Sequence, residues 1–207
     1  MVFDAAMASS SAPARAPATT DAPAFEADVL GALDRGDLDH ALDLVMRELG
    51  APVHRYCRQL LGDPALADDI LQMVFARVYE RFDHFERRSS VRSWIFAIAH
   101  HRCLDAIKAR RRWDRRFTSA EDSAEPASPE PPADERLGRG ALDRAIADCL
   151  SRLEPHIRMA VVLRYQEGFP YDEIAEIARE RPGTVQARVA RAMPALRRCL
   201  EGKGLTP

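Results

Sequence analysis

Residues 63–82 read DPALADDILQMVFARVYERF, and this stretch decides the fold. Asp63-Pro64 has the form of an N-cap followed by a first-turn proline. The aspartate oxygen accepts a free backbone N–H, and proline lacks one that would otherwise go unpaired. From Pro64 to Phe82 the residues Ala67, Ile70, Leu71, Val74, Phe75, Val78 and Phe82 recur at spacings of three and four, which places them on one arc of a helix. Asp69, Gln72, Met73, Ala76 and Glu80 fall on the opposite strip. One face is built for a core and the other is left to water or a partner.

The same logic extends outward. Gly62 stops a helix predicted from Pro52 to Leu61; Asp37 caps one running to about Leu49; Val29 to Arg35 forms a shorter one stopped by Gly36. Downstream, the loop Asp83 to Ser89 leads into a helix from Ser90 to about Arg112. It is apolar nearly all round until it turns basic at Lys108, Arg110, Arg111 and Arg112, so its first part is expected to be buried and its end exposed. Further helices are expected over Leu142–Leu153, Pro155–Glu167 and Tyr171–Ala178. A turn around Arg179 to Arg181 and a last helix from Pro182 complete the chain. Alternating strand patterns are hard to find and aromatics make up only 7%, which argues against an all-β fold. The predicted class is all-α, in two small helical domains joined by a flexible acidic, proline-rich linker.

Thr118 to Glu135 carries six acids, four prolines and almost no large apolar side chain, too little to offset chain entropy. It reads as a disordered linker, and residues 1–24, rich in Ala, Ser and Pro, read as a disordered tail. The expected organisation is tail 1–24, first domain 25–117, linker 118–136 and second domain 137–204. Such a linker would allow compact and extended arrangements. The overall charge of −2 hides strong segregation: residues 21–50 are net −6, 85–116 net +7, 118–135 net −6, and Arg179 to the end net +5. Two basic blocks across an acidic one fit two polyanion-facing surfaces. Only Lys108 and Lys203 are lysines. Arginine suits bidentate phosphate and guanine contacts, although GC-rich coding gives the same excess.

No apolar run approaches the roughly 18 residues of a membrane helix, and Met1 to Thr20 lacks the basic start and apolar stretch of a signal peptide. Cys57, Cys103, Cys149 and Cys199 form no CxxC pair, and no disulfide framework is expected. A cytoplasmic, reducing location without membrane insertion is the resulting expectation.

In the last helix Val185, Val189, Leu196 and Leu200 share one face while Thr184, Ala187, Arg188, Arg191 and Arg198 share the other. Two short helices, a tight turn and an arginine-studded second helix describe a helix-turn-helix, whose second helix enters the major groove. The bland alternative is a hairpin whose arginines only meet solvent.

Together these residues resemble a family. Asp69-Ile-Leu-Gln72-Met-Val-Phe75, Ser90-Val-Arg-Ser-Trp94-Ile-Phe-Ala-Ile98-Ala and Leu104-Asp105 are similar to region 2 of extracytoplasmic-function sigma factors of bacterial RNA polymerase. Tyr171-Asp-Glu-Ile174-Ala175 with Gly183-Thr184-Val185 and Arg188 is similar to their region 4. The resemblance implies an alternative sigma factor, which lends promoter specificity to core polymerase and catalyses nothing itself. It implies docking of Asp69, Gln72, Met73 and Glu80 on the clamp of the largest subunit. Minus-10 recognition and melting would fall to Arg87, Arg88, Ser89, His100, Lys108, Arg110 and Arg111. Minus-35 recognition would fall to Arg181, Thr184, Ala187, Arg188 and Arg191, with the second domain resting on the flap of the second-largest subunit. An anti-sigma factor is the further implied partner, and no cofactor is. The sequence departs from the family pattern at Met73, where an acid is usual. It departs again at His100 and His101 (Arg and Asn), at Arg179 (Gly) and at Gln186 (a basic residue).

Other readings stay open on the residues alone. The Asp69 strip and the Lys108–Arg116 run each have an ordinary solvated face as alternative, Phe85 a core plug instead of a stacking platform, and Trp94 is expected in the core. The acidic linker is either a passive tether or a nucleic-acid mimic entering the polymerase's RNA channel. A stand-alone helix-turn-helix regulator would use the second domain only. A hydrolase centred on a metal between His101 and Asp105 is the rival from another class, but Cys103 points away from that pair, and no metal site is expected. No Gly-rich phosphate loop or nucleophile with a base is present.

Overall fold

The computed structural model describes residues 22–117 and 139–205, and every regular element among them is helical. The expected tail, up to residue 21, and the expected acidic linker lie outside the described residues. Residues 22–24, assigned to the tail from sequence, instead open helix α1 (Ala22–Asp34). Pro23 stands in a first turn, where no backbone donor is needed, and Phe25, Val29 and Ala32 fasten the helix onto the first domain's core.

Helix α2 (Leu38–Leu61) is capped by Asp37, whose side chain accepts from the His40 N–H at 3.1 Å. It is continuous where two helices were expected, for Gly50 and Pro52 do not break it. A mid-helix proline costs about 3 kcal/mol. Here Val45, Leu49, Val53, Tyr56 and Leu60 form one buried stripe running straight past Pro52, and their packing outweighs that cost. Gly62 ends the helix at φ 68°, a left-handed conformation that favours glycine, and its N–H returns to the Arg58 carbonyl at 2.9 Å.

Helix α3 (Pro64–Arg81) starts as its sequence predicts, with Asp63 accepting from the Leu66 N–H at 3.2 Å. Ala67, Ile70, Val74, Phe75 and Val78 are buried. A 3-10 turn (Phe82–His84) and a short loop lead to α4 (Val91–Phe117). Its N-terminus is capped twice: Ser90 Oγ accepts from the Ser93 N–H at 3.0 Å, and Glu26 of α1 accepts from the Val91 N–H at 2.7 Å. Burial raises the Glu26 pKa; the Val91 bond opposes that and nearby Glu173 adds to it.

The second domain is built from α5 (Arg139–Ser151), α6 (Pro155–Val161), α7 (Tyr171–Ala178) and α8 (Pro182–Glu201). Helix α6 widens into a π turn over Val162–Gln166. One inserted residue rotates the downstream chain by about 100° relative to a regular helix, and Glu167 ends up facing the first domain. Met159, Leu163, Ile174, Ile177, Val185 and Val189 make the core.

Cys149 and Cys199 form a disulfide, which overturns the expectation of no disulfide framework. The partners are 50 residues apart and meet only because α5 packs on α8, so no spacing motif announces them. Cys57 and Cys103 are free and buried.

Candidate nucleic-acid interfaces

The inner face of α3 is consumed by the core, so Asp69, Gln72, Met73 and Glu80 form an exposed outer ridge. Met73 is 49% exposed, and Tyr79, which sequence reasoning passed over, is 55% exposed on the same side. Two large apolar groups among polar ones make a surface suited to a protein partner. Tyr79 was legible as the one aromatic of this helix that lies off the apolar arc.

Beside the ridge lies a cavity of about 560 Å³ lined by Arg77, Glu80, Arg81, His84, Phe85, Glu86, Arg87, Arg88, Ser89 and Trp94. Phe85 and Trp94 are half-buried with ring centroids 5.1 Å apart, and Trp94 stacks on Phe82 at 5.7 Å. Trp94 is therefore shared between core and cavity wall and is not wholly core. Arg87 holds φ 55° and pairs with Asp34 of α1, while Arg88 pairs with Glu86. These pairs are exposed, worth at most about 1 kcal/mol, and readily exchanged for phosphate. Arg77 and Arg81 were missed by the sequence reading, since the helix pattern alone does not show that their ends reach the loop.

Along α4 the expected set divides. Lys108, Arg110 and Arg111 are exposed and make long ion pairs with Asp105 (4.0 Å), Asp63 (3.8 Å) and Glu154 (3.5 Å). His100 does not join them: it is 1% exposed, with Nδ1 3.0 Å from the Tyr56 hydroxyl. Burial first, then neighbouring His101, His156 and Lys108, lowers its pKa to about 3, so it is a neutral core residue and not the exposed cation expected from sequence. The reason is helix phase, because Phe96, Ala99, His100 and Cys103 share the buried side of α4. His101 Nδ1 engages the Ala97 carbonyl at 2.6 Å, and Asp105 pairs with Lys108. Among the described residues, Asp148, Cys149 and Cys199 form a group of possible metal ligands, but both sulfurs are already bonded to each other.

At the start of α8, Arg181, Thr184, Gln186, Ala187 and Arg191 are exposed, and small Gly183 and Thr184 leave the first turn open to close approach. Arg188 is half-buried and paired with Glu180, which holds its guanidinium against the turn, while Arg191 Nε donates to the Ala187 carbonyl at 3.1 Å. Arg179 closes α7 at φ 55°, the left-handed position where glycine is the unstrained choice. Helix α8 runs on through Pro194, well past its first two turns.

Comparison with known proteins accords with this layout. Residues 45–113 match Sigma-70 region 2, and residues 143–196 match Sigma-70 region 4. RNA polymerase sigma factor CarQ of Myxococcus xanthus is 32% identical over 148 residues, which covers 72% of this chain and 82% of CarQ. The ECF RNA polymerase sigma factor SigL of Mycobacterium tuberculosis is 30% identical over 161 residues, 77% of this chain and 88% of SigL. Among solved structures, CnrH in complex with the cytosolic domain of CnrY has a TM-score of 0.62 at 20% identity, covering 86% of this chain and 98% of that one. The sigma factor RpoE with the anti-sigma factor NepR from Bartonella quintana has a TM-score of 0.61 at 21% identity, covering 75% and 94%. No helix among the described residues is long and apolar enough to cross a membrane. The chain belongs to the extracytoplasmic-function sigma factors and is an alternative sigma factor that directs transcription initiation by RNA polymerase.

Proposed function

We propose that the outer ridge of α3, Asp69, Gln72, Met73, Tyr79 and Glu80, docks on the clamp of the polymerase's largest subunit. On this reading the adjoining loop captures an unstacked base of the minus-10 element. The observation that carries this is the cavity whose wall includes Phe85 and Trp94. Its 560 Å³ accommodates a nucleobase against aromatic faces, and Arg77, Arg81, Arg87 and Arg88 at its rim suit the flanking phosphates. The Lys108, Arg110 and Arg111 track continues the cationic path. Ser89 adds a hydroxyl at the mouth.

The first two turns of α8 would enter the major groove of the minus-35 element, with Thr184, Ala187 and Arg188 towards the bases and Arg181 and Arg191 on the backbone. The same domain would rest on the flap of the second-largest subunit. The chain acts in the cytoplasm, where the polymerase is, and contributes specificity without catalysis or cofactor. An anti-sigma factor is the natural regulator, as solved relatives carry one. A groove of about 1520 Å³ lined by Leu142, Ile146, Leu150, Tyr165 and Met193, and edged by Arg58, Arg144 and Arg197, suits an amphipathic helix with an acidic flank.

The test is in vitro transcription with sigma-free core polymerase on a fragmented genomic library. Discrete new start sites sharing two upstream elements are expected. Absence of such transcripts from a folded chain would refute the docking scheme.

A further inference from the structure

The two domains meet through a polar interlock set around one aromatic contact, Phe169 edge-on to Phe96 of α4 with ring centroids 5.1 Å apart. Glu167 extends from the π turn of the second domain and is buried, its side chain 2% exposed. Its carboxylate accepts from Arg55 of α2 at 3.0 Å and lies 3.6 Å from the guanidinium of Arg92 of α4. Arg92 also donates to the backbone carbonyl of Glu167 and sits 4.1 Å from the centre of the Phe169 ring. On the same helix Ser93 donates to Glu173 of α7. At the far side of the seam, Arg158 donates to the Leu60 and Gln59 carbonyls at the end of α2, at 3.0 and 3.3 Å. One guanidinium of the second domain thus caps a helix of the first.

The seam is specific but not fully satisfied. Gln59 Oε1, Arg92 Nε, Arg158 Nε and Gln166 Nε2 are buried side-chain atoms without a hydrogen-bond partner among the described residues. Gln59, Arg92 and Arg158 all take part in the seam, and Gln166 lines the cleft beside Arg55 and Gln59. Each such atom regains a partner when water enters. Charged pairs of this kind fix one orientation, and contacts between domains of one chain commonly separate as units.

A sigma factor must touch two promoter elements roughly 25 base pairs apart, a separation of about 85 Å at 3.4 Å per step. A compact chain of this length has a radius of gyration of about 17 Å and spans roughly 45 Å. With the seam closed, α8 and the loop beside α4 cannot reach both elements. We propose that Glu167, clasped by Arg55 and Arg92, is a latch by which the chain holds itself in a closed, promoter-incompetent form that core polymerase must open. The proposal rests on the sigma-factor reading above.

Glu167→Lys places a third cation against Arg55 and Arg92 while leaving the second domain's core untouched. Arg55→Glu repeats the test from the other domain, with a half-exposed side chain, and decides the matter if the first variant does not fold. Small-angle scattering on the full-length chain is expected to show a compact wild type and an expanded variant. With core polymerase and a promoter found in the library experiment, the variant should reach half-maximal transcription at about threefold to tenfold lower concentration with an unchanged plateau. This is the gain expected when a competent fraction is no longer limiting. Unchanged scattering for both variants overturns the latch. Expansion without a shift in half-saturation overturns its inhibitory role. If neither wild type nor variant supports transcription, the sigma reading fails, and the scattering curves still decide whether the latch exists.

Discussion

The Tyr56 hydroxyl meets His100 Nδ1 at 3.0 Å between α2 and α4, entirely within the core of the first domain. Burial pushes the tyrosine well above its usual range and lowers His100 to about 3, so the pair is neutral in the fold. The unfolded chain binds a proton at His100 below about pH 6.5, whereas the folded chain does not until about pH 3. Stability from this residue is therefore present above pH 6.5 and lost as pH falls through that window, by roughly 1 kcal/mol per pH unit. Urea titrations of wild type and His100→Gln between pH 7 and pH 4 check this. The variant keeps a partner for Tyr56 and should show the shallower acid limb; parallel limbs would remove His100 as the source.

Arg179 holds φ 55° at the end of α7, a left-handed conformation that favours glycine. A non-glycine residue there costs about 1–2 kcal/mol. Arg179→Gly should stabilise the second domain by about 1 kcal/mol, a rise of roughly 4–8 °C in its melting temperature. Calorimetry at low salt reads this directly, and an unchanged or lower melting temperature contradicts it.

Periodicity and caps account for the features that were legible in the sequence. The arc from Ala67 to Phe82 and the outer ridge were both readable, because a 3.6-residue repeat states which side is buried. So were the helix-turn-helix and the turn at Arg179. His100 was misplaced because it was assigned by its position in a family pattern and not by the phase of its own helix, where it comes four residues after Phe96. Pro52 failed to break α2 because the stripe on either side outweighs one lost hydrogen bond. The Cys149–Cys199 bond and the Glu167 interlock depend on how distant helices meet, a property no local window contains.

The outer ridge separates a sigma factor from a stand-alone regulator. Asp69 is exposed and outside the core, so Asp69→Arg should fold normally and leave DNA binding by the second domain intact. Affinity for core polymerase should fall at least about tenfold, or ~1.4 kcal/mol, measured by fluorescence anisotropy on the purified complex. Full retention of polymerase binding and transcription by this variant would move the function to the second domain alone.

The minus-35 reading concentrates on Arg188 and Arg191. Glu180 pre-positions Arg188, whereas Arg191 is exposed and held only by the Ala187 carbonyl. Replacing an arginine bidentate to a base costs about 1–3 kcal/mol and relaxes specificity at one position, whereas loss of a phosphate contact weakens all sequences alike. Arg188→Ala should therefore change base preference, and Arg191→Ala should lower affinity uniformly with a shallower salt dependence. Binding-site selection with each variant distinguishes them, and two uniform losses would reduce both residues to backbone contacts.

Reduction of Cys149–Cys199 tests how far the second domain depends on its staple. Helix α5 contributes few buried residues, chiefly Cys149 and Leu150, so little else holds it to α8. A cross-link over 50 residues restricts the unfolded chain by about 4 kcal/mol in the loop-entropy picture. The loss should be confined to the domain that contains the bond. Hydrogen exchange with and without a dithiol reductant is expected to show faster exchange in α5, α7 and α8 and unchanged protection in α2 and α3. A Cys149→Ser, Cys199→Ser chain should match the reduced protein and ignore the reductant. Equal protection in both states would mean that packing of Leu150, Met159 and Leu196 suffices on its own.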